Sequence, residues 1–395
     1  MKIFEAFDPI PSRLIPLTAF PERIGAAVRA HTLPDGWENI LGQSCDIVLV
    51  GFPVSSDGTE SEFLGLFREH LYSYFRWEHH LSVCDVGNLR LPWTMESGDE
   101  GLSQLWNELL GLGQVIVCVG GHPEALIPAG WALITRGEPV RLTVASAYLD
   151  FNVLPHSADE HQAVSFIEAV IQRFQNHLQV LSFIGLQNFL NPPSLWQEIE
   201  RLLFDLQRLS EFREHPAEAE PLLRLSNMVS FDITALEAAY IPELVGRRPN
   251  GFTGVEACRL ARYAGLSPTL RWWGLHQIVP EKGITPSVSA QMAAQIVWHL
   301  MDGYLSRILE KDPDDSSEYT TYHVPLSGFG HQEILFFRHN ITGRWWMKPP
   351  LPVSNTGDEH ILIPKFIPCS QNDYLTASRG EWPERWWKWL QKITL

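Results

Sequence analysis

The sequence predicts an α/β protein in three layers, a mostly parallel β-sheet between two sets of helices, followed by a small C-terminal extension. Three observations carry this. Short apolar runs recur along the first three quarters of the chain, each ending in Gly, Pro or polar residues. Segments with apolar residues at helical spacing lie between the runs. After about Leu309 the alternation stops and the composition changes. Apolar runs without polar alternation read as strands buried on both faces, and strands alternating with helices imply a parallel sheet.

In chain order, the predicted strands are Asp46 to Val50, Leu81 to Val83, Gln114 to Val119, Arg141 to Ala145, Val180 to Phe183, Met228 to Phe231 and Arg271 to Leu275. Helical spacing marks Leu102 to Leu110, Ala163 to Phe174, a longer stretch from Leu195 to Leu209, Glu256 to Tyr263 after the Asn250-Gly251 turn, and a long final helix from Ser287 to Leu309. Residues 1–309 are read as one α/β domain and residues 310–395 as a Trp-rich extension. Within the extension, Lys311 to Asp315 is a polar linker, Thr320 to Val324 and Ile334 to Phe337 are strands, and Arg344 to Met347 is a candidate third. A terminal helix is expected near Pro383, because proline is tolerated in a first helical turn.

The chain has 395 residues, of which 45% are hydrophobic and 19% charged, as in globular proteins with a well-formed core. Its 30 basic and 46 acidic residues give a formal charge of −16. With no clustered Lys or Arg, that balance argues against nucleic-acid and anionic-membrane surfaces. The N-terminal residues lack an apolar stretch of signal-peptide length, which argues against secretion. No segment is apolar for long enough to span a bilayer. The five cysteines, Cys45, Cys84, Cys118, Cys258 and Cys369, are scattered and odd in number, and they read as buried free thiols in a reducing cytoplasm.

A parallel sheet directs ligands to the carboxyl ends of its strands, and polar residues gather at those ends here. After the third strand comes Val119-Gly120-Gly121-His122. After the fourth comes Ser146-Ala147-Tyr148-Leu149-Asp150. The sixth runs Ser230-Phe231-Asp232-Ile233-Thr234-Ala235-Leu236-Glu237-Ala238, and the following turn is Asn250-Gly251-Phe252-Thr253-Gly254-Val255-Glu256. Phe183-Ile184-Gly185-Leu186-Gln187 closes the fifth.

This ordered set, covering roughly residues 40–309, resembles the arginase, agmatinase and formiminoglutamase (ureohydrolase) family, with its arginase/deacetylase-like fold. Its four motifs are Gly-Gly-(Asp or Gly)-His, Asp-Ala-His-x-Asp, Ser-x-Asp-x-Asp-x-x-Asp-Pro and Gly-Gly-x-Thr-x-x-Glu, and Phe183 to Gln187 resembles its Ile-Gly-x-Arg segment. Asn250-Gly251-Phe252, Arg262-Tyr263-Ala264-Gly265 and the terminal Arg385-Trp386-Trp387 are also similar to a formiminoglutamase-like group of Bacteroidetes. The resemblance implies hydrolysis of C–N bonds in linear amidines by a hydroxide held between two manganese ions. Hard oxygen and imidazole ligands suit manganese, and paired cations activate water and stabilise the tetrahedral intermediate.

Carried over position by position, the resemblance implies that His122, Asp150 and Asp232 are retained metal ligands. It also implies that Ser146, Tyr148 and Thr234 occupy lost ligand positions, Ser146 being that of a bridging carboxylate. A hydroxyl brings no negative charge, so the second metal position is expected to be empty. The remaining imidazole and two carboxylates suffice for one divalent ion, manganese by family habit, or persist as a metal-free hydrogen-bonded pocket. Glu256 corresponds to the family's substrate-guanidinium contact, with a helix-terminus carboxylate as the other reading. Asn152 falls where arginases bind the substrate α-carboxylate. His161 lies in the region of the family's proton-shuttling histidine, with His156 competing and a roleless loop histidine as the alternative for both. Glu237 is a candidate stand-in for the Asp of the Asp-Pro step, although no Pro follows.

Two functions follow as expectations. One is a pseudoenzyme that binds a small guanidino or amidino molecule or a protein partner. The other is a working hydrolase of linear amidines. The family also implies a possible homo-oligomer. The C-terminal tryptophans, Trp345, Trp346, Trp382, Trp386, Trp387 and Trp389, read as packing for the extension, with a stacking platform for bases or sugars as the alternative.

Overall fold

A computed structural model describes residues 3–11, 14, 20–32, 40, 44–53, 58–149, 166–315, 317–325, 333–348 and 365–394. The first part of the chain runs β1 (Phe7–Asp8), β2 (Val28–Ala30), β3 (Cys45–Phe52), α1 (Thr59–Ser73), β4 (Val83–Leu89), α2 (Leu91–Leu112), β5 (Gly113–Gly120), α3 (Leu126–Thr135) and β6 (Val140–Ala145). It continues with α4 (Phe166–Arg173), β7 (Leu178–Ile184), α5 (Pro193–Arg201), β8 (Asp205–Gln207), α6 (Leu209–Glu214), α7 (Ala219–Arg224), β9 (Met228–Asp232), α8 (Gly254–Gly265), β10 (Trp272–His276) and α9 (Ser287–Leu305). The C-terminal part holds β11 (Tyr319–Pro325), β12 (Glu333–His339), β13 (Trp345–Lys348), β14 (Ile367–Cys369), α10 (Gln371–Ser378) and α11 (Glu384–Thr394).

The first ten strands form one sheet in the order β1-β4-β3-β5-β10-β9-β6-β7-β8, with β2 also on β4. All its pairings are parallel except β1 with β4. Both faces are buried, as the unbroken apolar runs predict. In β3, Ile47 and Leu49 join a core with α1, α8 and α9, while Val48 and Val50 point into a second core with α2 and α3. Successive strand residues face opposite layers, so one run fills two cores. This is the α/β, three-layer architecture the sequence predicts.

Three expectations need correction. The helix expected from Leu195 to Leu209 breaks after Arg201, where Leu203 takes φ +55°. The chain then adds β8 beside β7 before α6 begins. Apolar residues continue across the break although their targets differ: α5 and β8 pack Leu195, Ile199 and Leu206 on the core with α2 and α3, while α6 buries Leu209 and Phe212 in the core with α1, α8 and α9. The final helix stops at Leu305 rather than Leu309, with Ser306 Oγ donating to the Asp302 carbonyl. The run read as Leu81 to Val83 extends through Leu89, because Asp85, although charged, is fully buried in a bidentate pair with Arg68 of α1. Tyr72 donates to the same carboxylate. Of the helix expected from Ala163, residues 163–165 lie outside the described residues.

The C-terminal strands form a separate antiparallel sheet, β11-β12-β13-β14. Its core comprises Phe336, Trp345, Met347, Trp386 and Trp389 among others, and Trp382 stacks on Trp386 at 4.0 Å between centroids. A buried ionic seam joins this sheet to the main domain. Arg224 of α7 pairs with Glu220 at 2.5 Å and donates to the carbonyls of Trp345 and Cys369. Arg344 pairs with the same Glu220 at 3.0 Å. All five cysteines are free and buried. No described helix is long and apolar enough to cross a membrane.

Candidate functional site

The carboxyl ends of β5, β10, β9 and β6 are adjacent in the sheet. They bring together residues that are far apart in sequence. His122 follows β5, His276 ends β10 directly opposite Asp232 of β9, and Ser146 follows β6. At about 4.8 Å per strand, these positions span roughly 14 Å, a distance that side chains pointing to one centre can bridge.

The backbone leading to each is constrained. Gly120 has φ +101°, and a Cβ there would lie 2.4 Å from the Phe52 carbonyl oxygen. Only glycine takes this turn readily, and the turn presents His122 as an exposed side chain at the cleft. Gln277, the residue after His276, takes φ +61° while its N–H donates to the Gly121 carbonyl at 3.1 Å. Gly185, after β7, has φ +96° and lies against the Phe252 ring and the Ser146 carbonyl.

Asp232 is the buried centre of the group. Its Oδ1 accepts from the Thr234 N–H and Oγ1, both at 2.8 Å. Ser146 Oγ stands 3.1 Å from Asp232 Oδ2 and 2.8 Å from the Tyr148 carbonyl, its one proton serving either. Burial pushes the Asp232 carboxyl up from its usual range, against the Thr234 and Ser146 hydrogen bonds and the Arg248 charge, which favour ionisation. Arg248 closes the group from outside. Its guanidinium lies 4.7 Å from the Tyr148 ring centroid and 3.5 Å from Thr234 Oγ1.

His276 is fully buried and stacked on Trp272. Its Nδ1 bonds the Gly120 carbonyl at 3.0 Å, while Nε2 has no partner among the described residues. Burial lowers its pKa to about 4, the Gly120 bond working in the other direction and nearby His122 lowering it further. The imidazole is therefore neutral and holds the β5 turn to β10.

Glu256 sits at the third position of α8 in a reciprocal cap. Its Oε2 accepts from the Thr253 N–H at 2.7 Å, and Thr253 Oγ1 accepts from the Glu256 N–H at 3.3 Å. Its Oε1 lies 3.4 Å from Arg213 Nε. Arg213 in turn donates to Glu237 at 2.8 Å and to the Gly251 carbonyl at 2.6 Å. Glu256 and Glu237 thus share one guanidinium supplied by the protein itself.

Of the residues singled out in the sequence, His122, Ser146, Tyr148, Asp232 and Thr234 lie at this edge. Glu256 and Glu237 meet at Arg213. Asp150, Asn152, His156 and His161 lie outside the described residues. Among the described residues, no three His, Cys, Asp or Glu side chains are grouped to hold a metal ion. Sequence reasoning passed over His276, Arg248 and Arg213. His276 carried a signal, since it directly follows a predicted strand of the same sheet. Arg248 and Arg213 carried none, because their roles depend on loop and helix placement.

Residues 46–302 match the family described as the arginase family. Solved structures share the fold. A Trypanosoma cruzi formiminoglutamase solved with Mn2+2 is 21% identical with a TM-score of 0.56, covering 67% of this chain and 95% of that one. A formimidoylglutamase from Bacillus subtilis is 16% identical with a TM-score of 0.56, covering 68% and 90%. A proclavaminate amidino hydrolase from Streptomyces clavuligerus is 17% identical with a TM-score of 0.51, covering 67% and 94%. No curated protein sequence matches the chain.

Proposed function

The chain belongs to the arginase family, and from that premise we propose that it is a ureohydrolase-fold pseudoenzyme whose binuclear metal centre is degraded and whose role is to bind a ligand or protein partner. One observation carries the reading. The residues at the three lost ligand positions are engaged with one another and with Asp232, and Arg248 supplies the local positive charge.

A binuclear manganese centre does not fit this donor set. Manganese ligands are anionic oxygens or neutral imidazoles. Here the second position offers a serine hydroxyl, a threonine hydroxyl and a phenol lying under a guanidinium. A second cation would have to displace Arg248 from Thr234 and break the hydrogen bonds on both oxygens of Asp232. Burial already favours the protonated Asp232 carboxyl, and a carboxylate must be deprotonated to ligate. Without paired ions, water activation would fall to single side chains, and among the described residues His276 is a weak base, fully buried and lowered to about 4.

The family relationship makes a small guanidino or amidino molecule the natural ligand class, with a protein surface as the other. The proposed division is a ureohydrolase-like domain over residues 1–309 and an extension over residues 310–395. The competing reading, a hydrolase of linear amidines using one divalent ion, draws support from His122, which remains exposed beside this group. A turnover assay with arginine, agmatine and formiminoglutamate, with and without added manganese, decides between them. The expected result is no release of urea, ammonia or formamide above the uncatalysed rate. Manganese-dependent release from any of the three would establish the hydrolase reading instead.

A further inference from the structure

Between Tyr240 and α8 the chain returns to the carboxyl edge, and the loop that does so is fastened along its length. The Val245 N–H donates to the Val279 carbonyl at 2.8 Å, and Arg247 pairs with Glu281. The Ala238 N–H donates to the Arg248 carbonyl at 2.7 Å, and Glu237 and Arg248 form an isolated parallel bridge. Between these anchors Gly246 takes φ +82°, a conformation that favours glycine. A Cβ there would lie 3.5 Å from the Thr234 methyl carbon, so the turn sits directly against Thr234. The half-buried Arg248 side chain is therefore delivered by a fixed backbone.

The guanidinium rests on two residues. Its Nη1 donates to Thr234 Oγ1 at 3.5 Å, and its Cζ lies 4.7 Å from the Tyr148 ring centroid. On the degraded-centre reading, on which this proposal rests, these are the two lost ligand positions other than the bridging one at Ser146. Both partners suit a guanidinium better than a metal ion. An aromatic face attracts a planar organic cation through its quadrupole. The Thr234 hydroxyl accepts from Arg248 while passing its own proton to Asp232 Oδ1 at 2.8 Å.

The chain of contacts from Arg248 through Thr234 to Asp232 thus sets a positive charge against a buried carboxylate, which is costly to leave uncompensated. Unlike a bound metal ion, a guanidinium on its own side chain cannot diffuse away, and it keeps its proton at every physiological pH. A divalent ion brought to the same two residues would meet a like charge at close range.

We propose that Arg248 is a resident cation, which stands at the second metal position and excludes divalent ions from it by charge. The disagreement between this donor set and a binuclear centre then has a single main author among the side chains, and the missing ligands are only part of its cause.

Calorimetric titration of metal-free, full-length protein with manganese chloride at fixed ionic strength tests the assignment. The background is the triple variant Ser146→Asp/Tyr148→His/Thr234→Asp, which supplies metal ligands. Adding Arg248→Gln should raise its manganese affinity by about tenfold or more, because one positive charge near the ion is gone. Adding Arg248→Lys instead keeps the charge and changes the shape, and should leave the affinity within about threefold of the triple variant. Circular dichroism melts confirm that each variant folds. No gain from Arg248→Gln, or an equal gain from Arg248→Lys, would overturn the proposal. The degraded-centre reading fails separately, through manganese-dependent turnover by the parent chain.

Discussion

Asp232 shows why single residues decide the reading. It is flanked by Ser146 and Thr234, whose hydroxyls satisfy a carboxylate without adding charge, and by Arg248, which adds charge of the opposite sign to a ligand. With these residues around a common centre, Ser146→Asp, Tyr148→His and Thr234→Asp combined should raise manganese affinity measurably in calorimetric titrations. Titrations indistinguishable from the unmodified chain would mean that the positions do not surround a common centre. His276 yields a pH prediction. Its ordinary value is 6.5 and its buried value about 4, so between those limits the unfolded chain binds a proton that the folded chain refuses. Stability from this group is complete above pH 6.5 and declines as pH falls towards 4, by on the order of 3 kcal/mol in all. Asp232, whose carboxyl is raised, works in the opposite sense, its share being lost as pH rises. His276→Asn keeps a donor for Gly120 and removes the titration, so its urea midpoints should vary less between pH 4 and 6.5 than those of the parent. Parallel pH dependences would refute the buried neutral imidazole.

At the scale of elements, hydrophobic runs were a reliable guide where a strand is buried on both faces. β5, β6, β7, β9 and β10 fall within two residues of their predicted positions at each end, and their ends carry the site. The misread stretch was Leu195 to Leu209, where a left-handed Leu203 interrupts an apolar pattern that gives no sign of it. β4 was read too short because a buried Arg68–Asp85 pair looks polar in sequence. The helix read as Glu256 to Tyr263 spans Gly254–Gly265 in α8, and Thr253 and Glu256 form a reciprocal cap at its start. That cap bears on the role of Glu256. Glu256→Gln retains an acceptor for the Thr253 N–H but loses the Arg213 charge. It should cost less than about 1 kcal/mol, whereas Glu256→Ala should cost about 1 kcal/mol or more. Chemical denaturation of the two variants reads the difference, and equal stabilities would show that the cap contributes nothing.

For the whole molecule, the family motifs made the fold legible, because they mark the strand ends of a sheet whose topology is shared across distant relatives. The state of the centre was only half legible. Substitutions at Ser146, Tyr148 and Thr234 can be read from the motifs, but Arg248 and Arg213 reach the site through folding alone. The extension was legible as a change of composition and opaque as architecture, since its attachment depends on the buried Arg224, Glu220 and Arg344 seam. The central claim is that this architecture persists without its two-metal centre. Metal content by inductively coupled plasma mass spectrometry, on full-length protein produced in manganese-supplemented medium and desalted, tests it most directly. The account predicts well under two manganese ions per chain. Two tightly retained ions per chain would contradict it.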